Sequence, residues 1–258
     1  MHRFYLPPEQ CQQEALFLTG REAHHALEVL RVRRGERVKV LNGAGLELRC
    51  EVQESEPDKV KLAVVERRAV AAPPCQITLL QALPKGKIIE SIIQKATELG
   101  AFRIVPLLSE RVVTRLGERE AVRKAGKWRW VAIEAIKQCG SAWLPKVEAA
   151  LTPQAFLARR EQFDLPLLAC LGPESRPLRE YLGAFGARHG RPPQTACVWV
   201  GPEGDFTPAE TDAIKAAGGL PLTLGPLVLR TATAATYCLS ILHYELAAPL
   251  NQDPKRPP

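Results

Sequence analysis

Two glycine-containing loops carry residue types that suit the binding of a small ligand. One, Val200-Gly201-Pro202-Glu203-Gly204, follows an apolar run and precedes a helix-start pattern at Thr207. The other, residues 224–230, places Gly225 and the cation Arg230 just before an apolar helical stretch. In open α/β sheets, ligands bind beyond the carboxyl ends of strands, where glycine lets backbone amides come close. The two loops could therefore face one ligand, although a tight strand-to-helix turn would also explain the first.

Several other chemistries lose support from the motifs that the chain lacks. Gly43-x-Gly45 has neither the third glycine nor the following helix of a dinucleotide fingerprint. Gly86-Lys87 and Gly126-Lys127 lack the upstream glycine of a P-loop. Nicotinamide and nucleoside-triphosphate enzymes are therefore disfavoured.

The cysteines indicate a reduced protein without a metal centre. There are 7, widely separated, and no two form a C-x-x-C pair, which argues against a zinc site and a disulfide framework. The N-terminus has no apolar signal core, and no segment reaches the roughly 18 apolar residues of a membrane span. We expect a cytoplasmic protein with no metal and no membrane partner.

The composition is globular, and the charge is unevenly distributed. Hydrophobic residues make up 46% and charged residues 24%, which excludes wholesale disorder, collagen-like repeats and a coiled coil. The net charge is +7, and residues 76–160 carry 15 basic side chains against 7 acidic ones. This excess predicts an anionic partner that contacts the middle third of the chain.

The elements that must position the two loops fall into two domains. A length of 258 residues favours two domains. Residues 1–72 show short strand patterns at 38–41, 46–52 and 60–65 and a short helix at 23–30, which together predict a small β-barrel. The pair Pro73-Pro74 marks the predicted boundary.

Residues 73–248 alternate strands and helices, which is typical of an α/β layer with a mostly parallel sheet. A capping box at Thr207-Pro208-Ala209-Glu210 marks one helix start, and the tail 249–258 is expected to fray. The predicted strands are 77–80, 104–108, 165–171, 195–200 and 220–224, and the predicted helices are 86–99, 124–138, 176–189, 207–217 and 231–246.

Motifs along the whole chain occur in the order of one known family. They are Arg3-Phe4-Tyr5; His25 with Val29-Leu30-Arg31 and Gly35; Ala82-Leu83-Pro84-Lys85-Gly86-Lys87; Ile93-Gln94-Lys95-Ala96-Thr97-Glu98-Leu99-Gly100; Pro106-Leu107-Leu108-Ser109-Glu110-Arg111; Gln138-Cys139-Gly140; Val200-Gly201-Pro202-Glu203-Gly204 with Glu210; and Leu224-Gly225 with Leu229-Arg230-Thr231. Each is weak alone, but their joint order is specific. By these motifs the chain resembles the ribosomal RNA small subunit methyltransferase E family.

The resemblance implies an RNA-binding PUA-like β-barrel followed by a trefoil-knotted α/β domain of the SPOUT methyltransferase class. Such an enzyme takes S-adenosylmethionine as cofactor, works as a homodimer, and makes N3-methyluridine in the RNA of the small ribosomal subunit. The resemblance also implies the residues of a cofactor pocket. They are Leu171, Gly172, Val200, Gly201, Pro202, Glu203, Gly204, Leu224, Gly225 and Leu229.

Methylation of uridine N3 requires the loss of a proton, so a cation beside the base oxygens would assist by stabilising the anion. Arg230 is the candidate, because its charge is fixed and it carries a fork of donors. A structural arginine that caps a loop or pairs with a carboxylate is the alternative. Glu203 could orient the cofactor or the base, or could stabilise its own turn.

The RNA would be held by contacts to its phosphates, which fix its position. For any one basic side chain a solvated surface charge is the competing interpretation, and the set is more persuasive than its members. The candidates are Arg31, Arg33, Arg34, Arg37, Lys85, Lys87, Lys95, Arg103, Arg111 and Arg115.

Four positions depart from the family pattern. Leu227 stands where the family usually has an arginine, Ala232 where it has a glutamate, Ser141 where it has a basic residue, and Asp205 where glycine is common. Two alternative functions stay open. One is a ribose 2′-O-methyltransferase of the same knotted class, whose members tend to have an asparagine motif where this chain has Leu229-Arg230. The other is a noncatalytic RNA-binding factor for ribosome assembly, which is compatible with Leu227 and Ala232.

Overall fold

The computed structural model describes residues 1–113 and 116–247. Arg115 and the tail 249–258 lie outside these residues. The chain forms two compact units, one of residues 1–72 with 132–145, the other of residues 73–131 with those from Lys146 onward. No helix among the described residues is long and apolar enough to cross a membrane.

The first unit is built on a five-stranded sheet with the order β1-β3-β4-β5-β2. Strand β1 runs parallel to β3, and the other neighbours are antiparallel. The strands are β1 (Arg3–Tyr5), β2 (Ala15–Thr19), β3 (Arg37–Leu41), β4 (Leu46–Glu56) and β5 (Lys59–Ala69).

The predicted hairpin around Gly43 and Gly45 is confirmed as the β3–β4 turn. Both glycines have positive φ, 71° and 85°, a conformation in which a side chain would be strained. The Asn42 carboxamide oxygen accepts the backbone N–H groups of Ala44 at 2.8 Å and of Leu46 at 2.9 Å. Alternate strand residues such as Val38, Val40 and Leu48 are fully buried and form the core of this unit.

The helix predicted over residues 23–30 lies in the same unit but begins earlier. Helix α1 spans Gly20–His24 and continues into a single π-helical turn, His25–Val29. Ala23 and Ala26 are buried in the core of this unit. Arg31, two residues after the π-helical turn, has a positive φ of 53°.

The second unit is an α/β layer with a fully parallel sheet, which confirms the α/β fold predicted for residues 73–248. Its strand order is β11-β9-β10-β6-β7-β8. The strands are β6 (Gln76–Ala82), β7 (Arg103–Leu107), β8 (Lys146–Val147), β9 (Leu165–Ala169), β10 (Thr195–Val200) and β11 (Leu220–Leu222). The helices are α2 (Ile88–Glu98), α3 (Glu118–Cys139), of which residues 118–131 lie in this unit, α4 (Pro153–Leu157), α5 (Leu178–His189), α6 (Pro208–Ala216) and α7 (Thr231–Leu246).

Strand β10 lies at the centre of the sheet and is buried on both faces, as its apolar run predicts. Val200, its last residue, pairs with Gln81 of β6 and with Ala169 of β9. Because the three strands are parallel, the loops that follow them leave from one edge of the sheet. This edge brings the candidate loops together.

Helix α6 has the predicted capping box. The Thr207 hydroxyl accepts the N–H of Glu210 at 3.2 Å, and the Glu210 carboxylate accepts the N–H of Thr207 at 3.0 Å. The other oxygen of Glu210 accepts the N–H of Glu110 at 3.0 Å. The buried carboxylate therefore fixes the start of α6 against the segment after β7.

Candidate functional site

A cavity of about 300 Å³ lies at the carboxyl edge of β9 and β10. It is bounded by the loops that follow β9, β10 and β11 and by the first turn of α7. Of the predicted site residues, those that line it are Leu171, Val200, Gly201, Pro202, Glu203, Leu224, Leu229 and Arg230. Predicted Gly172, Gly204 and Gly225 belong to the same loops but are not among its lining residues.

Seven further residues line the cavity, of which Leu227 and Val228 lie within the candidate loop 224–230 and the other five are not predicted cofactor or catalytic residues. They are Ala169, Cys170, Asp205, Leu227, Val228, Thr231 and Ala234. Most are apolar and sit one or two positions from a predicted residue, so only the spacing within each loop could have indicated them. Thr231 is different, because its hydroxyl makes contacts that sequence does not reveal.

The loop after β10 is a compact turn that requires glycine at its first position. A Cβ atom on Gly201 would lie 2.7 Å from the Asp205 carboxylate oxygen. That oxygen accepts the N–H of Phe206 at 2.8 Å, and the N–H of Asp205 itself donates to the Pro202 carbonyl at 3.0 Å.

Asp205 has a φ of 60°, a backbone conformation that favours glycine. Aspartate is among the few other residues that tolerate this conformation, since its short side chain bonds the local backbone. Asp205 therefore preserves the shape of the turn.

Three other segments hold this loop by hydrogen bonds. The Lys85 backbone N–H donates to the Glu203 carboxylate at 3.1 Å. The Arg111 guanidinium donates to the Gly204 carbonyl at 2.6 Å and to the Phe206 carbonyl at 3.4 Å. The Thr231 hydroxyl donates to the Gly201 carbonyl at 2.7 Å.

The loop before α7 presents an apolar wall and one cation. Leu227 and Val228 are 71% and 83% exposed. Arg230 is the N-cap residue of α7, in extended conformation, and its side chain is exposed. Within residues 1–113 and 116–247, no hydrogen bond or ion pair engages its guanidinium. The structural alternatives for Arg230 require its side chain to cap a loop or to form an ion pair with a carboxylate. Neither contact is present among these residues.

The loop after β9 completes the cavity. The strand predicted to reach residue 171 ends at Ala169, so Cys170 and Leu171 belong to this loop. The N–H of Cys170 donates to the Leu222 carbonyl at 3.2 Å. The Ser175 hydroxyl donates to the Cys170 carbonyl at 3.2 Å.

The buried thiols of this unit are poor nucleophiles. Burial raises the pKa of Cys75, Cys197 and Cys238 to about 12 in each case, and a thiol in this state is inert. No group of three or more His, Cys, Asp or Glu side chains in the described ranges could hold a metal ion.

The predicted RNA-binding cations occupy different environments. Arg31, Arg33, Arg34 and Arg37 are exposed in the first unit. In the second unit, Lys85, Lys87 and Lys95 are exposed on α2 and the segment before it. Arg103 is engaged with Glu161 at 2.5 Å and Glu148 at 3.5 Å, and Arg111 with the β10 loop.

The chain is similar in sequence to proteins of one kind over almost its whole length. Residues 71–243 match the RNA methyltransferase domain family and residues 18–65 match the RNA methyltransferase PUA domain family. A ribosomal RNA small subunit methyltransferase E of Bacillus subtilis is 33% identical, with 95% of this chain and 97% of that protein covered. One from Synechocystis is 32% identical, with 93% and 76% covered.

Solved structures show the same architecture. A methyltransferase of Legionella pneumophila in complex with the cofactor S-adenosylmethionine has a TM-score of 0.83 and 31% identity, covering 94% of this chain and 97% of that one. A ribosomal RNA small subunit methyltransferase E of Neisseria gonorrhoeae bound to S-adenosylmethionine has a TM-score of 0.81 and 26% identity, covering 95% and 98%.

Proposed function

Because this chain belongs to the ribosomal RNA small subunit methyltransferase E family, we propose that it transfers a methyl group from S-adenosylmethionine to N3 of a uridine in small-subunit ribosomal RNA. The observation that carries the proposal is the exposed Arg230 at a cavity bounded by the loops after β9, β10 and β11.

The comparisons confirm the predicted family and the predicted fold class, a PUA-like domain followed by a SPOUT-type α/β domain. They also confirm that the chain is an S-adenosylmethionine-dependent methyltransferase of ribosomal RNA. The choice of uridine N3 and the roles of individual residues are our proposals.

The residues of the cavity fit the proposed cofactor. The volume of about 300 Å³ is at the lower end for ligand pockets. Val200 and Leu229 offer apolar surface, and the glycine turn at Gly201 gives close access to the backbone. When bound, S-adenosylmethionine supplies an electrophilic methyl group on a sulfonium. The chain must then hold the acceptor in line with it, and positioning of this kind supplies about 7 to 11 kcal/mol in the best cases.

In this proposal Arg230 lowers the barrier electrostatically. Uridine N3 becomes nucleophilic when its proton passes to solvent water, and the negative charge then spreads to the neighbouring base oxygens. A guanidinium that no described carboxylate neutralises can donate hydrogen bonds to that developing charge. Glu203 supports the turn, since its carboxylate is engaged by the Lys85 N–H.

We further propose that residues 1–72 bind RNA, that residues 73–248 hold the cofactor and perform the transfer, and that both contribute cations. Phosphate contacts would come from Arg31 and Arg33 in one unit and from Lys85, Lys87 and Lys95 in the other, all exposed. Arg111 has a second proposed role in supporting the β10 loop, because its guanidinium donates a hydrogen bond to the Gly204 carbonyl.

The trefoil path, the homodimer and the cytoplasmic location are proposals from the same membership. Exposed Leu227, Val228 and Tyr244, the last 81% exposed, supply apolar surface of the kind that interfaces cover. A crystal structure would trace the path of the chain and so test the trefoil. Sedimentation that gives only a monomer would contradict the dimer. Cell fractionation would test the location.

Nucleoside analysis of small-subunit RNA from a deletion strain tests the function. We expect N3-methyluridine to disappear and to return when the wild-type chain is supplied. Loss of a ribose-methylated nucleoside instead would identify a 2′-O-methyltransferase. An unchanged nucleoside profile would contradict both enzymatic functions.

A further inference from the structure

A fully buried glutamine lies beside the cavity, on the central strand pair of the sheet. Gln81 is 0% exposed and pairs with Val200, the residue before the β10 loop. The neighbouring positions Leu79, Leu80 and Ala82 of β6 are apolar and equally buried. A carboxamide at such a position must find partners or cost free energy.

The Gln81 amide nitrogen donates two hydrogen bonds, one of which leads into the cavity wall. It donates to the Ala82 carbonyl at 2.8 Å and to the Thr231 hydroxyl at 2.9 Å. Thr231 in turn donates to the Gly201 carbonyl at 2.7 Å. This side-chain relay, Gln81 to Thr231 to Gly201, connects β6 with the first residue of α7 and the first residue of the β10 loop.

The direction of the relay is fixed by its ends. The carbonyls of Ala82 and Gly201 can only accept hydrogen bonds. The Gln81 nitrogen must therefore face Ala82, and the Thr231 proton must point to Gly201. The hydroxyl then accepts from Gln81, so each of the three contacts has one donor and one acceptor.

Fold stability alone does not account for an amide at this position. The Gln81 carboxamide oxygen is buried, and no described residue donates to it. A buried acceptor in this state destabilises the folded protein, whereas an apolar side chain of similar volume would not. Buried polar groups that lack a hydrogen-bond partner are concentrated at functional sites.

We propose that Gln81 and Thr231 are positioning residues for methyl transfer, whose relay holds the Gly201 carbonyl and the start of α7 in the arrangement that binds S-adenosylmethionine and presents Arg230. The inference rests on the proposed function. It deepens that function by assigning two residues that hold the β10 loop, Gln81 from behind the cavity wall and Thr231 within the wall.

The first test is Gln81→Met, which keeps the volume and removes the donor. We expect the dissociation constant for S-adenosylmethionine, measured by calorimetry without RNA, to rise about tenfold. The melting temperature should change by less than a few degrees, because the variant removes the unpaired acceptor together with the two hydrogen bonds that the amide nitrogen donates. A variant that melts several degrees lower and binds the cofactor as the wild type does would overturn the proposal, since that is the result of a purely structural role.

The second test uses Thr231, because valine and serine separate its shape from its hydroxyl. Thr231→Val should weaken cofactor binding to a similar extent, and Thr231→Ser should restore it to within about twofold. The double variant with Gln81→Met should bind no worse than the weaker single variant, because both changes break one relay. Fully additive losses would show that the two residues act separately and would overturn the relay.

Thr78→Val is the matched control. Thr78 is buried on the same strand, three residues earlier, and its hydroxyl accepts from Arg103 at 3.2 Å. This change should leave cofactor binding unaltered. A wild-type chain that neither binds S-adenosylmethionine nor methylates RNA would refute the proposed function, whereas an active wild type with an unaffected Gln81→Met would refute only the relay.

Discussion

At the scale of single residues, the contacts of the arginines distinguish roles that their sequence positions do not. Arg103 is held by two carboxylates and Arg111 by two carbonyls. Arg230 is exposed at the cavity, and no described residue forms an ion pair with it. A cation that stabilises charge on a substrate must be free to meet it, so the contacts of these three arginines support our proposal that Arg230 is the catalytic one.

Arg230→Ala is expected to lower kcat by a factor of about 100 to 1,000, as the loss of one preorganised donor does elsewhere. The dissociation constant for S-adenosylmethionine should change by less than about twofold, because the guanidinium serves the base. Single-turnover methylation and cofactor titration measure the two effects. Arg230→Lys, which keeps the charge and loses the fork, should retain an intermediate rate. Ordinary turnover in the alanine variant would rule out the catalytic role.

The site residues that the sequence could predict are those with a local signal. Gly201 and Arg230 stand in recognisable strand-to-helix loops, and both line the cavity. Gln81 and Thr231 carry no such signal, because their hydrogen bond joins positions 150 residues apart. A glutamine in an apolar strand is visible in the sequence, but its partner is not.

At the scale of elements, the β10 loop depends on a segment from elsewhere in the same unit. Arg111 follows β7 and donates to two carbonyls of the loop, at 2.6 and 3.4 Å. Hydrogen bonds from a charged donor are stronger than neutral ones. The loop geometry is therefore set in part by a residue first predicted to contact RNA.

Arg111→Ala is expected to raise the dissociation constant for S-adenosylmethionine about fivefold in the absence of RNA, since the loop loses a charged donor. Calorimetric titration measures this. Arg188→Ala, which removes an exposed arginine of α5, is the matched control and should bind the cofactor as the wild type does. If Arg111→Ala weakens RNA binding and leaves cofactor affinity intact, the contact to the loop is dispensable.

The elements with strong periodicity were predictable, and the short ones were not. Strand β10 and helix α7 have the predicted bounds, because an apolar run and a long apolar helix each give a clear signal. Strand β1 has only 3 residues and β8 only 2. Such short strands form because a neighbouring strand pairs with them. Their own residues show no pattern that predicts this pairing.

At the scale of the whole molecule, global stability depends on pH through contacts that join the strands. Asp164 precedes β9, and its carboxylate accepts from the Arg191 guanidinium at 2.8 and 3.0 Å and from the Gln194 N–H at 2.8 Å. The hydrogen bonds from Arg191, above all, lower the pKa of Asp164 to about 2. This contribution to stability is present above the ordinary pKa of an aspartate, near 3.9, and is lost as the pH falls toward 2.

Asp164→Asn is expected to lower the free energy of unfolding by about 1 kcal/mol at pH 7, a modest value because solvent screens the pair. The difference from the wild type should shrink as the pH falls from 4 toward 2, since the wild type then loses the same charge. Urea unfolding at several pH values measures both. Glu245→Gln, whose partner Arg179 is 83% exposed, should change little at any pH. A deficit independent of pH would show that charge is not its cause.

The composition of the first unit also affects the order in which the chain can fold. Residues 132–145 belong to this unit, where the Trp143 ring would lie 2.5 Å from a Cβ on Gly45 and Lys137 pairs with Glu22 at 2.9 Å. Domains usually fold as they emerge from the ribosome, N-terminal first. The buried apolar cluster of this unit is formed by residues between Phe4 and Leu62, so it can assemble from the N-terminal segment. The segment 132–145 is synthesised only after residues 73–131 of the next unit, so the Lys137–Glu22 ion pair is made late.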